Sequence, residues 1–123
     1  MNKQRKFGVW MDTLHATVVG HEDAESKTLK VLAHIKGEAV KSSPSEKNEH
    51  NQKHTLQAKF FKEIAAHLVN ATYVHATGTG QVQEQFIHFL ADTPQFKNTQ
   101  TEESTANKMS DERLIEYFEE ILN

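Results

Sequence analysis

The 123-residue sequence contains no cysteine. That excludes a disulfide framework, a thiolate metal site and a cysteine nucleophile. Long hydrophobic runs are missing too, and nothing approaches the ~20 apolar residues of a membrane span. Residues 1–6 are basic, but the apolar stretch that follows, residues 7–11, is cut short by Asp12. A secretory leader needs roughly 7–15 apolar residues there. Charge of one sign is scarce: 14 basic side chains stand against 17 acidic ones, a formal net charge of -3. That is too mild for the whole chain to act as a nucleic-acid glue. There is no internal repeat, no Gly-x-Ser-x-Gly elbow and no His-Glu-x-x-His pair. Together these absences make the cytoplasm the expected compartment and a membrane an unexpected partner.

The remainder is ordinary for a globular protein: 37% apolar and 25% charged residues. The length suits one domain over residues 1–123, able to bury roughly two thirds of its unfolded surface. The eight histidines are the compositional oddity.

Residues 6–11 and 16–21 are rich in β-forming types, and the short interval between them predicts a hairpin. Residues 28–36 read as a third strand. Residues 37–55 form a polar stretch, expected as a long loop whose second half could extend the following helix. Leu56, Phe60, Phe61, Ile64, Ala65 and Leu68 share one helical face, which predicts a helix over 56–69, stopped at Asn70. A strand over 72–77 runs into Gly78-Thr79-Gly80 and a second helix over 81–91, with Val82, Phe86, Phe89 and Leu90 inward. Pro94 marks its exit. Residues 97–104 are Thr-rich and polar, which suits an exposed edge strand. Ser110 or Asn107 caps a last helix in which Asp111 and Glu112 meet the positive end of the dipole.

The order β-β-β-α-β-α-β-α predicts an α/β fold with a mixed five-stranded sheet and helices on both faces. Strands joined through helices are expected to be parallel. This is the ribonuclease-H-like arrangement, with the first strand central, the fourth beside it and the fifth at the edge.

In open α/β sheets the functional crevice lies at the carboxyl ends of the strands, where strand order reverses. That places Asp12 and Thr13 beside Gly78, Thr79, Gly80 and Gln81 as a candidate binding crevice. The helix start could receive an anion, or the two glycines could serve only a tight turn. A second candidate set, His50, Asn51, Lys53 and His54, lies in the polar stretch. His50 and His54 stand at i, i+4 spacing and would align on a helix. A two-metal nuclease needs several convergent carboxylates. Asp12 and Glu63 leave that constellation incomplete, so no metal, cofactor or catalytic residue is assigned. Charge is uneven along the chain: between Thr99 and Asn123 seven acidic side chains face two basic ones. The amino-terminal half is therefore the better candidate for RNA contact.

The order of these motifs resembles a family. It begins with Val9-Trp10-Met11-Asp12 and a hairpin into Ala16-Thr17-Val18-Val19. It continues through Asn48-Glu49-His50-Asn51-Gln52-Lys53-His54, Phe60-Phe61-Lys62-Glu63-Ile64 and Gly78-Thr79-Gly80. It ends in the approach to the last helix from Thr105 to Arg113. The chain is similar to bacterial release-factor-like proteins described as translational machinery components. These are related to Pelota and to the middle domain of eukaryotic and archaeal peptide-chain release factors. The resemblance implies the ribonuclease-H-like fold and a tie to the ribosome or RNA; DNA is not an expected partner and a homo-oligomer stays open. It does not carry over peptide release, because the stretch 37–55 contains no Gly-Gly-Gln tip. The expected function is thus a non-catalytic, translation-associated binding protein. The alternatives are a metal-assisted hydrolase or nuclease remnant using Asp12, His50 and His54, and a small protein-interaction module.

Overall fold

The segment Lys6–Met11 (β1) is nearly continuous in apolar residues, the pattern of a strand covered on both faces. It sits at the centre of the sheet. The structure, a computed structural model, describes residues 5–22, 28–38 and 46–122, with the backbone alone over 46–53. Strands β2 (His15–His21), β3 (Leu29–Lys36), β4 (Tyr73–Gly78) and β5 (Gln100–Thr105) complete a sheet of order β3-β2-β1-β4-β5. The β1–β2 and β2–β3 pairs are antiparallel, while β1, β4 and β5 run parallel. Among the described residues three α-helices connect or follow them: α1 (Glu46–Ala65), α2 (Val82–Ala91) and α3 (Asp111–Leu122). The mixed five-stranded, two-faced arrangement is the one expected from the sequence. Among the described residues no helix is long and apolar enough to cross a membrane.

Alternation along β1 divides the interior in two. Phe7, Val9 and Met11 join Phe60, Phe61 and Ile64 of α1 and Phe86 and Leu90 of α2. The Phe61 and Phe86 rings meet edge-to-face, with centroids 5.3 Å apart. On the opposite face Trp10, Val19 and Leu29 join Leu114, Phe118 and Leu122 of α3. Each fully buried side chain of this size contributes about 1.5–3 kcal/mol, before the entropy of ordering it.

Helix α3 approaches β1 closely because Gly8 leaves room for it. A Cβ at Gly8 would fall inside the van der Waals envelope of the Phe118 ring. The helix begins at the predicted cap, where Ser110 Oγ accepts from the Arg113 amide at 3.3 Å.

Three boundaries differ from those expected. The polar stretch is not a loop throughout: from Glu46 onward it extends α1, the option the sequence left open for its second half. Its Glu, Lys and Gln residues have good intrinsic helix propensity even though they carry no apolar stripe. The helix also ends at Ala65 rather than at residue 69. Tight turns take over (His67 N–H to Ile64 O at 3.0 Å, Leu68 N–H to Ala65 O at 2.9 Å), and Asn70 adopts φ 62°. Asn tolerates that left-handed conformation better than most residues. Leu68 stays buried while Val69 turns outward. A 3-10 turn at Pro94–Phe96 delays the edge strand to Gln100.

Gly8→Ala should destabilise the fold by about 1–3 kcal/mol, the usual range for overpacking. Urea denaturation checks this, and the penalty should shrink in a Phe118→Leu background because the two positions are coupled.

Candidate functional site

Parallel pairing brings the carboxyl ends of three strands level, with Met11 beside Gly78 and Gly78 beside Thr105. The chain leaves β1 toward β2 on one side, and β4 leads to β5 on the other. The topological switch therefore lies between β1 and β4. Asp12 and the Gly78–Gln81 junction emerge there together, as the sequence predicts.

Asp12 is committed to the hairpin. Its Oδ1 accepts the Leu14 amide at 2.8 Å and the His15 amide at 2.6 Å, and its own N–H donates to His15 O at 2.9 Å. His15 Nδ1 lies 3.3 Å from the same oxygen. This is an Asx turn, in which the carboxylate substitutes for backbone acceptors. Thr13 is exposed at its tip.

The two glycines of the junction differ. Gly78 is buried, and a Cβ there would collide with the Met11 carbonyl oxygen. At Gly80 a Cβ would meet nothing within 4 Å, and φ is not positive. The first glycine is required by close strand approach, whereas the second meets no such need. Thr79, Gly80 and Gln81 are exposed, and α2 begins with no side-chain cap.

Gln83, buried on the first turn of α2, ties the junction together. Its Nε2 donates to Gly78 O at 3.2 Å and to Ser104 O at 3.0 Å. It bridges the ends of β4 and β5. The sequence held a signal for it: Gln83 shares a helical face with Phe86, Ile87 and Leu90.

The second candidate set lies on the first turns of α1. Phe60 packs beside Gly37 at the end of β3, so the residues of α1 that precede it extend past the sheet at this same end. From Glu46 to Phe60 that is roughly 20 Å of helix. Gln57 Nε2 donates to Gln85 Oε1 of α2 at 2.8 Å, and Lys59 pairs with Glu38 at 2.9 Å. The Glu38 hydrogen bond also raises Lys59 above its ordinary pKa. His54 is exposed. The side chains of His50, Asn51 and Lys53 lie outside the described residues. Glu63 is exposed on α1, and among the described residues no group of three or more His, Asp or Glu side chains is arranged to hold a metal.

A third cluster was not singled out from the sequence. Alternation in β4 turns Tyr73, His75 and Thr77 toward α3, where they meet Ser104 of β5 and Tyr117. His75 Nε2 lies 2.8 Å from Ser104 Oγ. Ser104 Oγ lies 2.9 Å from both Thr77 Oγ1 and Tyr117 OH. Tyr73 OH lies 3.3 Å from His75 Nδ1. A hydroxyl has one proton to give. With Ser104 donating to Thr77, it accepts from His75 and Tyr117, so the imidazole is not placed to take the serine's proton. The cluster is a polar strut between β4, β5 and α3. Burial lowers His75 below its ordinary value, against the pull of Glu102. Burial, with the Glu102 carboxylate beside it, pushes Tyr73 up to about 12.

No protein-family model matches the sequence, and no curated protein matches it. Solved structures do. Pelota from Archaeoglobus fulgidus superposes with a TM-score of 0.60 at 16% identity, over 97% of this chain and 32% of that one. Thermoplasma acidophilum Pelota gives 0.61 at 15% identity, over 94% of this chain and 32% of that one. The archaeal translation termination factor aRF1 gives 0.58 at 15%, over 93% and 34%. The chain thus spans about a third of the length of these proteins, and the likeness is one of fold.

Gly78→Ala should lower stability by about 1–3 kcal/mol. Gly80→Ala should be neutral, or stabilise by up to about 1 kcal/mol through the unfolded chain. Urea denaturation of the two variants separates them. The same method tests His75. Its lowered folded pKa means that the unfolded chain binds more protons below about 6.5. Its contribution is complete above that pH and is lost as pH falls through the folded value. Native stability should therefore drop more steeply from pH 7.5 to 5.5 than that of His75→Gln.

Proposed function

We propose that the chain is a non-catalytic, translation-associated domain that binds ribosomal RNA through the carboxyl end of its parallel strands. The observation that carries this reading is the fold likeness to Pelota and to a translation termination factor over more than nine tenths of the chain. The placement of the candidate residues supports it. The Asp12–Thr13 turn, the Gly78–Gln81 junction and the amino-terminal turns of α1 stand at one end of the sheet. Lys47, His50, Asn51, Lys53 and His54 all belong to those turns of α1.

Peptide release is not part of the proposal. The stretch 37–55 contains no Gly-Gly-Gln. The Gly78-Thr79-Gly80-Gln81 sequence resembles that motif in letters, but Gly78 is buried against β1 and cannot form a protruding tip. Hydrolysis is not proposed either: Asp12 Oδ1 holds two backbone amides of the hairpin turn, and among the described residues no group of three or more His, Asp or Glu side chains converges as a metal-assisted hydrolase would need. The compartment that goes with this role is the cytoplasm, and neither DNA nor a membrane enters it.

Co-sedimentation with ribosomes is the direct test. Binding should weaken as salt rises from ~50 to ~200 mM, because phosphate contacts release counterions. A Lys47→Glu, Lys53→Glu variant should lose several-fold in bound fraction without losing stability. Absence from ribosomal fractions in growth, stress and stationary phase, at the lowest salt, overturns the reading.

A further inference from the structure

β5 ends the sheet on the side opposite β3, and among the described residues no strand pairs with its outer edge. A parallel strand turns the N–H and C=O of alternate residues to one neighbour, and those of the residues between to the other. Gln100 N–H donates to Thr72 O and Ala106 N–H to Gly78 O, both at 2.9 Å. The register between them is unbroken, from Tyr73 beside Gln100 to Gly78 beside Thr105. Gln100, Glu102, Ser104 and Ala106 therefore bond to β4. Thr101, Glu103 and Thr105 point their backbone donors and acceptors away from the sheet, where they have no backbone partner among the described residues.

This edge has neither bulge, proline nor lysine, and its only charges are Glu102 and Glu103. Ser104 faces α3, where its Oγ lies 2.9 Å from Tyr117 OH, so Glu102 faces α3 as well and Glu103 faces α2. On the Tyr117 side of α3 a groove of about 490 Å³ is lined by Glu116, Tyr117 and Glu120, with Lys108 and Arg113 toward the start of the helix. Glu102, Glu103, Glu116 and Glu120 are exposed and enter no ion pair among the described residues.

Open backbone groups in strand register, bordered by carboxylates without counter-ions, fit a cationic strand. Its side chains would alternate between the two faces. Those toward α3 would meet Glu102, Glu116, Glu120 and the half-buried Tyr117 ring, which itself favours a cation. Those toward α2 would meet Thr101, Glu103 and Thr105, beside which β-branched residues pair well. A second copy of this chain fits poorly. β5 against β5 sets Glu102 and Glu103 against their own kind, and the basic β3 edge loses its repeat at Leu32.

We propose that the β5 edge docks an extended basic segment of a partner protein by strand addition, with Lys or Arg at the alternate positions that face α3. This surface is distinct from the α1 turns invoked for ribosome binding and does not rest on that reading.

The intact ¹⁵N-labelled protein is titrated with two blocked peptides, Lys-Val-Lys-Thr-Lys-Val and Glu-Val-Glu-Thr-Glu-Val. Before addition, the amides of Thr101, Glu103 and Thr105 should exchange rapidly with solvent while those of Glu102 and Ser104 are protected. The basic peptide should shift the three outward amides saturably and slow their exchange at least tenfold, leaving Glu102 and Ser104 as they were. Glu116→Lys, Glu120→Lys should weaken binding several-fold with no loss in urea midpoint. Glu103→Pro removes the central outward N–H at a position where an edge strand tolerates proline, and should abolish the new protection at Thr101 and Thr105. No shift at millimolar basic peptide overturns the proposal. So do shifts without the alternating protection, equal binding of the acidic peptide, or protection that survives Glu103→Pro. Protection present without peptide and lost on dilution overturns it too, and identifies a second copy as the occupant. Ribosome co-sedimentation succeeds or fails independently of each of these outcomes.

Discussion

The architecture depends on how closely a helix can approach the central strand. β1 is covered on both faces, but only one side chain pattern fits. Phe7, Val9 and Met11 fill the interior under α1 and α2, while on the other side the bare Gly8 receives the Phe118 ring. Once α3 is seated there, its first turn comes to lie over β2 and β3, and His34 can reach Asp111. The placement of β4 has a similar condition at its far end, where Gly78 lies against the Met11 carbonyl. Two positions without side chains thus set the distances of the elements that flank β1. The large apolar residues then fill the space so defined.

The end of the molecule at which the parallel strands finish is built differently from its interior. Backbone groups there are satisfied by side chains: Asp12 for the hairpin, and Gln83 for the ends of β4 and β5. Both residues look chemically eligible for function, and both are occupied with holding turns in place. What remains for a partner is the surface they present, namely exposed Thr13, Thr79, Gly80 and Gln81, and the projecting turns of α1. The His75–Ser104 pair teaches the same lesson inside the fold. Proximity of a serine to a histidine is not a catalytic relation when the serine's proton is directed elsewhere.

Much of this was legible in the sequence, for identifiable reasons. The apolar run of β1, the helical stripe from Phe60 to Leu68, the polar composition of β5 and the Ser110 cap each report local structure through local chemistry. Their order was enough to place β1 centrally and β4 beside it. The start of α1 was less visible because a helix made of Glu, Lys, Asn and Gln carries no apolar periodicity. Its end was misplaced because Leu68 remains buried after the helix has stopped, so the stripe outlasts the hydrogen bonds. Of the candidate site, the meeting of Asp12 with Gly78 was readable from topology. The role of Asp12 was not, since it depends on which amides its carboxylate reaches. The polar strut joins residues 29 apart along the chain and leaves no mark in any single window of sequence.

The register of β3 carries a further consequence. Val18 pairs with Ala33 while Val19 pairs with Val31, so Leu32 is an extra residue on an edge strand. The bulge kinks the outer ladder and strengthens its twist. A neighbouring molecule trying to add a sixth strand would lose its hydrogen-bond repeat halfway along. Exposed Lys30 and Lys36 lie near the two ends of that edge, and β5 closes the other with exposed Glu102 and Glu103. Among the described residues, both edges of the sheet therefore carry the charge and irregularity that discourage edge-to-edge pairing.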